Sequence, residues 1–127
     1  MSDNTAAIAN ELVSLCREGR NMDAIEKFYS PNIISVESGG PPGMSREMTG
    51  IAAIKGKNVW WYENNEVHSA ETNGPFVSDG NRFAVEYIYD TTFKPTGDRS
   101  IMREMALYTV EGDRIIHEHF FYNMPSA

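Results

Sequence analysis

The sequence predicts an α+β fold, with helices placed early and a meander of antiparallel strands after them. Three observations carry this. Apolar residues recur at helical spacing over residues 5–29 and 50–64, and alternation of apolar and polar side chains takes over from Glu66. The alternating half is cut by three turn signals, Asp79-Gly80-Asn81, Pro95-Thr96-Gly97-Asp98 and Glu111-Gly112-Asp113.

Thr5 to Arg17 places Ile8, Leu12, Leu15 and Cys16 on one helix face, with Thr5 as the expected N-cap and Gly19 as the C-cap. A second, short helix should be capped by Asp23 and carry Ala24, Ile25, Phe28 and Tyr29 as its apolar stripe, until Ser30-Pro31 stops it. Ile33 to Glu37 reads as a short strand. Ser38 to Met48, with its Gly-Gly-Pro-Pro-Gly run, reads as a loop. Gly50 to Asn64 returns to helical spacing through Ile51, Ile54, Asn58 and Trp61. Four strands follow: Glu66 to Thr72, with Phe76-Val77 as a continuation, then Arg82 to Phe93, Ser100 to Val110 and Arg114 to Tyr122.

With 127 residues the chain is expected to form one domain, 1–127, large enough for its own core. A formal charge of −7 and scattered basic residues argue against a nucleic-acid partner, since phosphate binding needs clustered Lys and Arg. No apolar run is long enough to span a bilayer, and the start lacks signal-peptide character, so no membrane is expected. A single cysteine, Cys16, excludes an internal disulfide and suits a cytoplasmic protein. The glycine–proline run is no phosphate loop, because its prolines remove donors and no Gly-Lys-Ser/Thr follows.

The order of elements resembles the SnoaL-like branch of the NTF2-like superfamily. Asp23-Ala-Ile-Glu-Lys-Phe-Tyr-Ser-Pro-Asn-Ile resembles the second helix entering the first strand, Gly50-Ile-Ala-Ala-Ile the opening of the third helix, and Gly112-Asp-Arg-Ile-Ile with Phe-Phe-Tyr the final hairpin. The resemblance implies a cone: three N-terminal helices packed on a curved, mainly antiparallel sheet around an apolar pocket. It further implies a homodimer through the outer sheet face. The family's catalytic residues do not carry over. Ser38 follows Val36-Glu37 where ketosteroid isomerases place a base Asp, Leu12 stands for their first-helix Tyr, and Met105 stands near their pocket Asp. Phe120 occupies the Asp position of the polyketide cyclases.

Aligned on the family pattern, the inward set is Phe83, Val85, Tyr87 and Tyr89, then Arg103, Met105 and Leu107, then Ile116, Glu118, Phe120 and Tyr122. His68, Asn58 and Trp61 join it. Such a pocket would be apolar and aromatic with few polar groups, as small-molecule sites are. A cofactor-independent enzyme would use His68 as base or acid, Glu118 and Arg103 as partner and charge stabiliser, and Tyr87 as hydrogen-bond donor. The bland readings are an Arg103–Glu118 structural pair and core roles for Tyr87, Tyr89 and Trp61. The outer face would present Glu86, Ile88, Asp90, Glu104, Ala106, Tyr108, His117, His119 and Phe121 to a second copy. His117 and His119, with Glu86 or Glu104, form an alternative metal set, but the sequence favours an interface there and neither metal nor cofactor is expected. The candidates are an acid–base enzyme on a small apolar molecule, of isomerase, cyclase, dehydratase or hydrolase type, a non-catalytic binder, and a dimeric scaffold. Substrate identity is not encoded in any motif.

Overall fold

A computed structural model describes residues 3–39, 45–78 and 80–122. The elements run α1 (Asp3–Arg17), α2 (Asn21–Phe28), β1 (Tyr29–Val36), β2 (Glu47–Thr49), α3 (Ile51–Asn64), β3 (Asn65–Val77), β4 (Arg82–Phe93), β5 (Asp98–Glu111) and β6 (Arg114–Phe121). Two helices therefore precede the sheet, and the third is inserted after two strands. The six strands form one curved sheet in the order β2-β1-β6-β5-β4-β3. Every pairing is antiparallel except β1 with β6, which is parallel.

Local chemistry explains most boundaries. Gly19 adopts φ +73 after α1, where its N–H and that of Arg20 close onto the carbonyls of Cys16 (3.0 Å) and Leu15 (2.8 Å). Thr5 is not a cap but lies buried within α1. The N-cap of α2 is Arg20, and Asp23 sits in the first turn, 2.8 Å from the Arg20 guanidinium. Tyr29 leaves the helix stripe and opens β1, because the Pro31 ring disfavours helical backbone just before it. In the expected loop, Glu47–Thr49 pairs with β1 as β2, while residues 40–44 lie outside the described residues, as does Asp79 of the first hairpin turn.

The core forms where α1 and α2 cover the sheet. Ile8, Leu12 and Val13 of α1 and Ile25 and Phe28 of α2 meet Phe83, Val85 and Tyr87 of β4 and Ala106, Tyr108 and Val110 of β5. Alternation along β4 runs as expected, with odd positions inward. On β5 it is the even positions that face inward: Arg103, Met105 and Leu107 pair with Ile88, Glu86 and Ala84 on the outer face. A bulge changes parity again on β6. Thr109 pairs with His117 but Val110 with Ile115, so Ile116 is the extra residue and Ile115 is the buried one.

The assignment of faces is testable with two phenylalanines on neighbouring strands. Phe83 is buried and stacks on Tyr108 at 4.8 Å, whereas Phe76 lies outside and is 59% exposed. Phe83→Ala should lower unfolding free energy by about 3–5 kcal/mol in urea titration. Phe76→Ala should change it by less than about 0.5 kcal/mol.

Candidate functional site

Parallel pairing of β1 with β6 sets Ser35 beside Glu118, and the β5–β6 ladder sets Tyr108 on the other side. Glu118 is 1% exposed. Tyr29 donates to its Oε1 and Ser35 to its Oε2 at 2.6 Å. Lys57, reaching down from α3, donates to Ser35 Oγ at 2.9 Å and to Glu37 Oε2 at 2.7 Å, and its Nζ stands 3.9 Å from Glu118. Its ammonium also lies 5.1 Å from the Phe120 ring centroid. Tyr122 donates to Glu37 Oε1 at 2.8 Å and receives the Gly39 N–H at 3.3 Å. The chain of contacts thus runs Tyr29–Glu118–Ser35–Lys57–Glu37–Tyr122, from the core to the sheet's open end. Burial raises the proton affinity of Glu118, against the opposing pull of Lys57, Ser35 and Tyr29.

At that open end β6 stops. Its last pairing is Phe121 with Met105, so Glu104 is the first β5 residue past the ladder. Glu104 faces inward beside Tyr87, its partner on β4. No hydrogen bond fixes its carboxyl among the described residues. An open depression of about 460 Å³ forms in the notch, lined by Ser38, Glu104 and Tyr122 inside and by Glu86, Arg103, Met105 and Phe121 outside. Burial, reinforced by Glu37 and Glu118 and opposed by Lys57, pushes the Glu104 carboxyl up to about 7.

Several residues expected in the pocket sit elsewhere. His68 falls in a bulge between Val67 and Ser69, which pair with Thr91 and Asp90. It is thereby exposed on the outer face, where its Nε2 is 2.7 Å from Thr92 Oγ1. Arg103 is likewise outside, so it makes no pair with Glu118; Lys57 takes that place. Val85 (0% exposed) and Tyr87 (3%) touch no open space. They are core, and Tyr87 hydrogen-bonds Tyr108 at 2.7 Å and lies 3.7 Å from Cys16 Sγ. Asn58 donates to its own helix at Ile54 O, 3.0 Å. Trp61 packs on Tyr89 at 5.3 Å. Met105 and Leu107 are outer, and Ile116 is replaced inside by Ile115. Glu118, Phe120 and Tyr122 do face inward.

Glu104 and Tyr108, expected outside, are inside. Glu104 therefore cannot join His117 and His119, whose rings lie 6.3 Å apart on the outer face. No group of three or more His, Cys, Asp or Glu is poised for a metal among the described residues. Ser35, Glu37 and Lys57 escaped the sequence reading. One signal existed: Lys57 lies one turn beyond Ile54 on the sheet-facing side of α3, so its charge needed an acidic partner.

The raised proton affinity of Glu104 has a sign for stability. Between about pH 4.5 and 7 the unfolded chain ionises this carboxyl while the folded chain keeps it protonated, so stability falls as pH rises. Glu104→Gln should therefore be more stable than the natural chain at pH 8, by up to about 3 kcal/mol, and equal to it at pH 4. Denaturant titrations at the two pH values check this.

A family model described as a SnoaL-like domain matches residues 3–122. The fold superposes on a Mesorhizobium loti protein whose name carries both "SnoaL-like polyketide cyclase" and "carbohydrate phosphatase". TM-score is 0.86 and identity 38%, over 92% of this chain and 97% of that one. A Bacillus subtilis protein named as an isomerase matches at TM-score 0.72 and 16% identity, over 95% and 87% of the two chains. An NTF2-like protein from Anabaena variabilis matches at 0.71 and 14%, over 97% and 92%. No curated protein matches the sequence. Among the described residues no helix is long and apolar enough to cross a membrane. The chain belongs to the SnoaL-like family.

Proposed function

We propose that this protein performs cofactor-independent acid–base chemistry on a small, largely apolar molecule held in the notch at the open end of the sheet, with Glu104 as the proton-transferring group. The observation that carries this is Glu104 itself: a carboxyl on the wall of an open depression, pushed up to about 7 by burial and without a hydrogen bond among the described residues. A base or acid works best when its proton affinity lies near the working pH. The relatives' names, polyketide cyclase and isomerase, are those of small-molecule enzymes. Ketosteroid isomerases of this fold carry an acid on the penultimate strand, aligned above near Met105; with the observed parity, Glu104 is the inward residue there.

Glu118 has a different role in this reading. Its oxygens are taken by Tyr29 and Ser35, and no space reaches it. It holds Lys57 and Glu37 in place, and they set the field at Glu104.

A generic substrate for a desolvated carboxylate tests the proposal. In 5-nitrobenzisoxazole the base removes the ring C–H proton, the electron pair forms the nitrile and the N–O bond breaks to a coloured phenolate. The protein should accelerate this over an equal concentration of acetate, with a rate that rises through pH 7. Glu104→Gln should remove at least about tenfold of it, the order expected of a positioned base. An unchanged rate in Glu104→Gln sinks the proposal.

The outer face supports a second copy of the chain as partner. Ile101 (63% exposed), Phe121 (46%) and Phe76 share it with Arg103 and Glu86, so a two-fold contact would pair apolar with apolar and opposite charges across the axis. Ile88, His117 and His119 of the expected interface lie on this face too. Phe121→Asp should shift the mass seen by light scattering from dimer to monomer; a natural chain that is already monomeric excludes the contact.

A further inference from the structure

Among the described residues, the inner side of the notch offers negative charge and no cation besides Lys57. Lys57 is the cation reaching it from α3, and it is engaged by Glu37, Ser35 and Glu118. Glu37 arrives just past the end of β1, Glu118 from β6, and the phenols of Tyr87, Tyr89, Tyr108 and Tyr122 are the other ionisable groups around Glu104. Those phenols are held protonated by burial. Tyr122 is already oriented by Glu37 and Gly39, so its hydroxyl is not turned toward the depression as a free donor. An anion entering here would face the carboxyls of Glu104 and Glu86, with Glu37 adding to the field at Glu104, against a single lining cation, Arg103 at the outer rim. A cation would find the Glu104 carboxyl, without a hydrogen bond among the described residues, in a low-dielectric wall with the Tyr122 ring on the same inner side.

From this geometry we propose that the ligand of the notch is a small aromatic ammonium ion, bound as an ion pair with Glu104. The proposal rests on the reading of Glu104 as the working carboxyl and adds the charge and class of what it meets. Pairing restores to Glu104 the counter-charge that burial withholds, so the carboxyl gives up its proton on binding. Binding and proton release are then one event near neutral pH. Arg103 is the cation at the outer rim of the depression, on the opposite face of β5 from Glu104.

Benzylammonium and benzoate are the probes, matched in ring and size and opposite in charge. Isothermal titration of the full chain with benzylammonium should show binding at pH 8 and about tenfold weaker binding at pH 6, since a carboxyl titrating near 7 is mostly ionised at the first and mostly neutral at the second. At pH 7, where about half of the carboxyls still carry a proton, the heat should differ between HEPES and phosphate buffers, because that proton is released on binding. Glu104→Gln, checked for fold by circular dichroism, should lose the binding at pH 8 and its pH dependence. Benzoate should not bind. Benzoate binding that disappears in Arg103→Ala would overturn the proposal by making the rim an anion site. Benzylammonium binding unchanged in Glu104→Gln, or no binding of either probe, would overturn it as well. If the proton-abstraction assay succeeds while benzylammonium fails, only the charge assignment falls; if both fail, Glu104 is not the working group.

Discussion

The buried carboxylate of Glu118 is the constraint on which the rest of the structure depends. Removing a carboxyl group from water is costly unless its oxygens find donors. The donors here come from β1, where Tyr29 and Ser35 both point at it, and from the ammonium of Lys57 on α3 behind Ser35. Satisfying one side chain therefore fixes the parallel register of β1 against β6 and the approach of α3 to the sheet. A slip of one residue along β1 would put Ile34 or Val36 where Ser35 stands and leave the carboxyl without that donor. The same lysine then fixes Glu37, and Glu37 fixes Tyr122. The polar contacts at the open end thus continue from a choice made in the core.

How much of this could be read beforehand depends on the kind of signal. Helices and strands followed from periodicity, because segments such as 5–17 and 82–93 match one template and not the other. Gly19 was legible because a left-handed residue after an apolar stripe has few other readings. The faces of β4 were legible too, since Phe83, Val85 and Tyr87 outweigh Ala84, Glu86 and Ile88 in apolar bulk. On β5 the two faces compete. Met105 and Leu107 look more apolar than Glu104 and Ala106, and the face carrying a carboxyl is nevertheless the one that is buried. What decides it is not β5 but the pairing with β4 and the size of the core behind Ala106 and Tyr108.

Bulges account for most of the remaining errors. One extra residue reverses every side chain beyond it, and neither bulge has a glycine or proline to mark it. At Ile116 the bulge moves burial to Ile115, and at His68 it leaves an imidazole exposed on the outer face. From Glu118 onward the sequence places Phe120 and Tyr122 inward correctly, because no irregularity lies between them. Lys57 was overlooked for another reason. A helical lysine is normally solvated; its place one turn beyond Ile54 marks it as facing the sheet, and the neighbourhood of Ser35, Glu37 and Glu118 shows which groups engage it.

Glu104 and Glu118 make a useful contrast, because the same residue type ends in two physical states a few strand positions apart. Glu118 lies between two hydroxyl donors with a lysine behind them, and its chemistry is used up in holding strands together. Glu104 lies one residue beyond the last rung of the β5–β6 ladder, desolvated by Tyr87 and its neighbours but not hydrogen-bonded by them. A fold that needed only stability would not keep it, since a glutamine or an apolar residue there would avoid both the desolvation and the repulsion from Glu37 and Glu118. An uncompensated carboxyl at the mouth of a depression is better explained by a partner that arrives from solution. Among the described residues β6 ends at Phe121, one rung short of Glu104, and the depression opens at that end of the ladder.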